Sequence, residues 1–218
     1  MTYEELWQNE VIRTYIRRAD ESLIALGYTE HSFAHVTKVA QNASYILETL
    51  GYDAHAVELV KMAAYLHDIG NLVNRSEHSQ SGAVMAFRIL DKLDVPPDDI
   101  ATIVTTIGNH DEGNGIPVNP IAAAMILADK SDVRRSRVRN TDPATFDIHD
   151  RVNYSVQHAG LKISEDCAAV ELTLDIDTRY CSIMDFFEIF LIRMKLCSRA
   201  ADVLGLEFRL IINGQRVV

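Results

Sequence analysis

Through roughly the first 158 positions, apolar residues recur at three- and four-residue spacing, the period of amphipathic helices. Val36, Val39, Ala40, Ala43, Ile46, Leu47 and Leu50 predict one helix, which Gly51 stops. A second is predicted from about Ala54 to Ile69, carrying Val57, Val60, Ala64 and Leu66 and halted by Gly70. A third runs from about His78 to Leu93 and ends ahead of Pro96-Pro97. Pro97, with Asp98 and Asp99 in the first turn, opens a fourth that reaches about Gly108. Asn114-Gly115 and Pro117 mark a loop, and a fifth helix is predicted from Pro120 to Val138. Helices joined by short loops imply an all-α bundle.

The period then changes. Ala169 to Ile176 alternates apolar and polar, as a half-buried strand does, and Leu161-Lys162-Ile163 can pair with it across Glu165-Asp166. A long amphipathic helix from about Ser182 to Leu204 leads to a further strand, Glu207 to Ile212, closed by Asn213-Gly214. The expected division is therefore a mainly α helical core over residues 1–158 and a small ββαβ (α+β) appendage over 159–218. Nothing in the appendage resembles a catalytic site, which leaves a dimer surface and a lid as its two candidate roles.

With 48% hydrophobic residues the chain can bury a sizeable core. No apolar run approaches the roughly 20 residues of a membrane span, and the acidic start Met1-Thr2-Tyr3-Glu4-Glu5 is not a signal peptide. Cys167, Cys181 and Cys197 are too few and too scattered for a disulfide framework, so reduced thiols and a cytoplasmic location are expected. A formal net charge of −10 argues against a general nucleic-acid binder. The one cationic concentration is Arg134-Arg135-Ser136-Arg137-Val138-Arg139.

Histidines and carboxylates gather at core-facing or helix-end positions of the first 130 residues: His35, His67-Asp68, His78, His110-Asp111 and Asp129. Burying so many polar groups is costly unless they share a task. His35 lies on the apolar stripe four residues before Val39, and Asp129 on that of Met125. Two histidines and two carboxylates, with no thiolate, suit Mn²⁺, Fe²⁺, Co²⁺, Ni²⁺, Zn²⁺ or Mg²⁺.

Three stretches carry a resemblance: Glu30-His31-Ser32-Phe33-Ala34-His35-Val36-Thr37-Lys38-Val39-Ala40, Ala63-Ala64-Tyr65-Leu66-His67-Asp68-Ile69-Gly70 and Ile126-Leu127-Ala128-Asp129-Lys130. Together they resemble the H…HD…D signature of the HD-domain superfamily, all-helical phosphohydrolases that bind a divalent cation. The likeness covers about residues 25–140. It implies His35 as first ligand, His67 and Asp68 as the central pair and Asp129 as the last. His31 is the rival for the first position, and Val39-Ala40 match the family spacing after His35. Glu77 to Ala83 and Asn109 to Glu112 are similar to the extended form of the family. There, histidines equivalent to His78 and His110 bind a second ion, with Asp111 as a third donor here, or contact the substrate phosphate. Asp111 stands where the second histidine of a pair would be, and Asn71 where many relatives carry Lys. No Gly-Tyr-Pro motif is present, so a cyclic-dinucleotide phosphodiesterase is disfavoured.

The resemblance implies a phosphomonoesterase or phosphodiesterase using one divalent ion per chain, or two, to activate a water for attack on a small phosphorylated substrate, a nucleotide foremost. Asp68 would orient the water, and His78 and His110 would donate to the phosphate or leaving oxygen. His31, Lys130, Arg134 and Arg137 would supply contacts to the substrate phosphate. Two alternatives remain: a di-iron HD-type oxygenase, and a nucleotide-sensing module without turnover. A homodimer is the assembly to test.

Overall fold

A computed structural model describes all residues, 1–218. Nine helices precede and interrupt a small C-terminal sheet. Two helices at the amino end, α1 (Tyr3–Gln8) and α2 (Glu10–Ala25), were not delimited by the sequence pattern. Helices α3 (Phe33–Thr49), α4 (Ala54–Leu66), α5 (His78–Lys92), α6 (Pro97–Gly108) and α7 (Pro120–Lys130) follow. Ser32, Asp53 and Asn119 cap α3, α4 and α7 by accepting from the first-turn amides of Ala34, Ala56 and Ala122. Gly51, at φ 78°, takes the left-handed conformation that ends α3.

Two helix ends differ from expectation. α4 stops at Leu66, and Ile69–Leu72 form a tight 3-10 turn. Here Gly70 lies against α5, where a Cβ would sit 2.0 Å from the His78 carbonyl oxygen. The expected helix to Val138 ends at Lys130 instead. Ser131 Oγ donates to the Ala128 carbonyl (2.8 Å), and Asp132 turns its side chain inward. Local side-chain hydrogen bonds of this kind compete with helix continuation. The arginine run is thus a loop with a short 3-10 turn at Arg135–Arg137, not a helix face.

α7 is buried along its whole length from Ala122 to Lys130, so it runs through the centre of the bundle. α3 and α4 pack on it from one side. On another lies α9 (Ile183–Val203), the helix of the C-terminal part, which buries Phe186, Phe190, Met194 and Cys197.

α8 (Ile148–Ser155) runs directly into β1 (Val156–Ile163), which starts earlier than the expected strand at Leu161. The sheet order is β1-β2-β3-β4, with β2 (Ala169–Ile176), β3 (Glu207–Ile212) and β4 (Gln215–Arg216). β1 and β2 are antiparallel, and α9 is the crossover between parallel β2 and β3. The Asn213-Gly214 turn adds the short antiparallel β4 to the expected ββαβ pattern. One hydrophobic cluster spans both parts, from Leu6 to Ile212. No helix is long and apolar enough to cross a membrane.

Candidate metal centre

The ends of five helices, α7 among them, converge on one point. His35 comes from the first turn of α3, and His67 and Asp68 from the end of α4. His78 is the first residue of α5, His110 follows α6, and Asp129 lies in the last turn of α7. All six are buried. Ligand atoms of His35, His67 and Asp129 lie within 4.8 Å of one another, as do those of His67, Asp68 and His110. His35 Nε2 is 3.3 Å from Asp129 Oδ1 and 3.5 Å from Asp68 Oδ2, and His67 Nε2 is 3.2 Å from Asp68 Oδ2.

The far side of each imidazole fixes what its near side can do. Nδ1–H of His35 donates to Asp132 Oδ2 (2.8 Å), and that of His67 to the Ala64 carbonyl (2.7 Å). Nδ1–H of His110 donates to the Ile107 carbonyl (2.7 Å), and that of His78 to the Arg75 carbonyl (3.1 Å). Every Nε2 therefore presents a lone pair to the centre. The lone pairs of His35 and His67 face carboxylate oxygens, and those of His78 and His110 face each other at 3.2 Å. Nε2 of His35, Nε2 of His67 and Oδ2 of Asp68 have no hydrogen-bond partner although buried. Acceptors arranged in this way repel unless a cation or protons lie between them, and the donor set fits a hard or borderline divalent ion.

The electrostatics show the same demand for positive charge between these groups: burial opposes a charged His67, but Asp68 and Asp129 more than offset it and raise its pKa. Burial alone would raise the Asp68 carboxyl, but the neighbouring His67 and His31 rings hold it well below the carboxylate range. Burial likewise opposes the charge on Asp129, and Lys130, with Nζ 2.7 Å from Oδ2, outweighs it. Burial pushes His110 well below the usual imidazole range, reinforced by His67 and Lys130. In the neutral ring, with Nδ1–H held by the Ile107 carbonyl, Nε2 is the accepting atom.

The other expected residues divide. His31 donates through Nδ1 to the Thr29 carbonyl (2.8 Å), stands edge-on to His35 and lines the adjoining cavity, so His35 rather than His31 converges with the carboxylates. Asp111 lines the same cavity but joins neither group of converging ligand atoms. Lys130 and Arg137 also line it. Arg134 does not: its guanidinium is taken up by Asp132 (2.9 Å), Glu30 (2.8 Å) and Ser136 (2.7 Å). Arg135 lies over the Tyr154 ring at 4.3 Å, and Arg139 pairs with Asp20. Most of the cationic run thus holds the loop in place.

Several residues of the site were missed from the sequence. Asp132, fully buried, orients His35 and also pairs with Lys38 Nζ (2.9 Å) and Arg134. Its signal was available: it lies three residues after Asp129, just beyond the end of α7. Asn71, singled out in the sequence but given no role there, donates through Nδ2 to Asp68 Oδ1 (3.0 Å). Arg75 reaches His78 Nε2 (3.3 Å), and Glu112 and Arg193 complete the cavity wall. The cavity, about 420 Å³, opens from the cluster between α8 and α9.

This chain is 26% identical over 190 aligned residues to an uncharacterized protein of Methanocaldococcus jannaschii, covering 76% of this chain and 73% of the relative. A crystal structure of a predicted HD superfamily hydrolase from an uncultured Thermotogales bacterium superposes with a TM-score of 0.47 at 23% identity, over 62% of this chain and 75% of that one. The family model of the HD domain matches residues 32–139, the segment that supplies His35, the His67-Asp68 pair and Asp129, and the chain belongs to the HD-domain superfamily.

Proposed function

We propose that the protein is a metal-dependent phosphohydrolase acting on a phosphate ester of a small metabolite, a nucleotide foremost. One observation carries this reading: three buried acceptors without partners, on His35, His67 and Asp68, converge beside Asp129 at the floor of a polar cavity. His35, His67, Asp68 and Asp129 would hold a divalent ion, with His78 and His110 as donors for a second. When bound, such an ion lowers the pKa of water and offsets charge on phosphoryl oxygens.

The chain's own groups supply the rest. Asp68 stays ionised, and Asn71 fixes its Oδ1, so it can accept a proton from a water on the cavity side. Burial disfavours charge on Lys130, but Asp129 and Glu112 more than offset it, so the ammonium remains charged beside the cavity. It can then attract a phosphoryl oxygen.

Metal analysis together with phosphate release from a nucleotide panel in Mn²⁺ tests the proposal. Wild type should bind one or two ions per chain and turn over at least one ester. Folded His67→Ala and Asp68→Ala variants should lose both properties, and full activity in either variant refutes the mechanism. Bound iron with oxygen uptake and no phosphate release would favour the oxygenase alternative.

A further inference from the structure

Arg193 belongs to α9, in the part of the chain where the sequence suggested no site, yet it lines the cavity above the metal cluster. Two neighbours fix its guanidinium. Nε donates to Glu112 Oε1 (2.6 Å), and the carbon of the guanidinium lies 4.0 Å from the Phe190 ring centroid. Its terminal nitrogens donate no hydrogen bond to the protein, so two N–H edges remain available. This contrasts with Arg134 and Arg137, whose guanidinium groups are committed to Asp132, Glu30 and backbone carbonyls. The carboxylate oxygen that receives Arg193 Nε also lies 3.7 Å from Lys130 Nζ, and Lys130 in turn touches Asp129. Glu112 therefore holds both cations beside the ligand cluster.

We infer that Arg193 is a substrate-binding residue, presenting its free guanidinium edge to the oxygens of a phosphoryl group held over the His35–His67–Asp68–Asp129 cluster. A planar fork of donors, stacked on an aromatic ring and anchored at one nitrogen, loses little freedom on binding and suits bidentate contact with phosphate. The C-terminal α/β part thereby completes the site through α9. This inference rests on the phosphohydrolase reading for the identity of the anion.

The test is titration of inorganic phosphate into Mn²⁺-loaded protein, followed by isothermal calorimetry, for wild type, Arg193→Met and Arg193→Lys. Metal content and melting temperature are measured on each sample. Arg193→Met, which retains bulk over Phe190, should keep its Mn²⁺ and weaken phosphate by roughly ten- to a hundred-fold, the scale of a charge-assisted hydrogen-bonded contact. Arg193→Lys restores charge but not the fork and should fall between the two. The KM for any turned-over ester should rise in the same order. Phosphate affinity equal to wild type in a folded, Mn²⁺-loaded Arg193→Met variant overturns the role of Arg193 and leaves the phosphohydrolase reading standing. Absence of both phosphate binding and turnover in loaded wild type overturns the two together.

Discussion

Replacing Asp132 by Asn removes one charge from a carboxylate that never touches the cavity. Asp132 accepts from His35 Nδ1 (2.8 Å), Lys38 Nζ (2.9 Å) and Arg134 Nε (2.9 Å), and Arg137 Nη1 lies 3.8 Å away. Its carboxyl is held far below the usual range: burial opposes ionisation, but the hydrogen bond from His35 and the charge of Arg137 more than compensate. Asn preserves the volume and one acceptor, so the Nδ1–H tautomer of His35 survives while its basicity falls. Partners that orient a metal-bound imidazole typically contribute about 10- to 100-fold in affinity, or roughly 1.4–2.7 kcal/mol. Stability should fall as well, by about 1–3 kcal/mol, because three cations then face an amide whose NH₂ cannot accept from them. Calorimetric titration of Mn²⁺ into metal-free protein gives the first quantity, and urea unfolding of the same samples gives the second. A Kd within twofold of wild type in a folded variant would show that His35 does not depend on Asp132, and the argument from its far-side hydrogen bond would fail.

Two further outcomes follow from the packing and the charges. Gly70→Ala forces a Cβ into the backbone of α5, 2.0 Å from the His78 carbonyl oxygen and 2.5 Å from the Gly82 amide nitrogen. It should cost at least the roughly 1–3 kcal/mol of an overpacked contact and displace His78; an unchanged melting temperature contradicts this. Burial would raise the Glu112 carboxyl, but Arg193 and Lys130 hold it below its ordinary value. A carboxyl depressed on folding stabilises above its unfolded pKa, about 4.3, and that contribution is lost as pH falls through the lower folded value. The urea midpoints of wild type and Glu112→Gln should therefore differ by a constant amount above about pH 5 and converge as pH falls through the lowered folded value. A gap independent of pH would mean that the pair with Arg193 contributes nothing electrostatic.

The candidate ligand residues were legible from the motif resemblance together with their unusual positions. His35 and Asp129 are polar residues on apolar helical stripes, and His67-Asp68 stand at a helix end just before a glycine. A chain buries such groups only when something shared compensates them. Arg193 breaks no rule: on an amphipathic helix it reads as one more solvated cation. Only the packing of α9 on α7, with Phe190 beneath it and Glu112 opposite, turns it into part of a cavity wall. The arginine run was less informative, since local charge density says nothing of which carboxylates arrive from elsewhere; of its members Arg137 lines the cavity. Asp132, Glu30 and Asp20 occupy three of its four guanidinium groups.

The sequence by itself marked out α3 to α7, α9, β2 and β3 to within their ends, because periodicity and helix stops are local and act wherever the chain lies. The motif spacing already favoured His35 over His31, and tertiary structure puts the His35 ring beside the carboxylates. The first turn of α3 has to be set against α7 before His35 Nδ1 finds Asp132 and its Nε2 turns to Asp68 and Asp129. Tertiary structure also decided the rotamers, tautomers and counter-charges of the site. These depend on partners far apart in the chain, such as His35 and Asp132, which are 97 residues apart, and no local pattern carries that information.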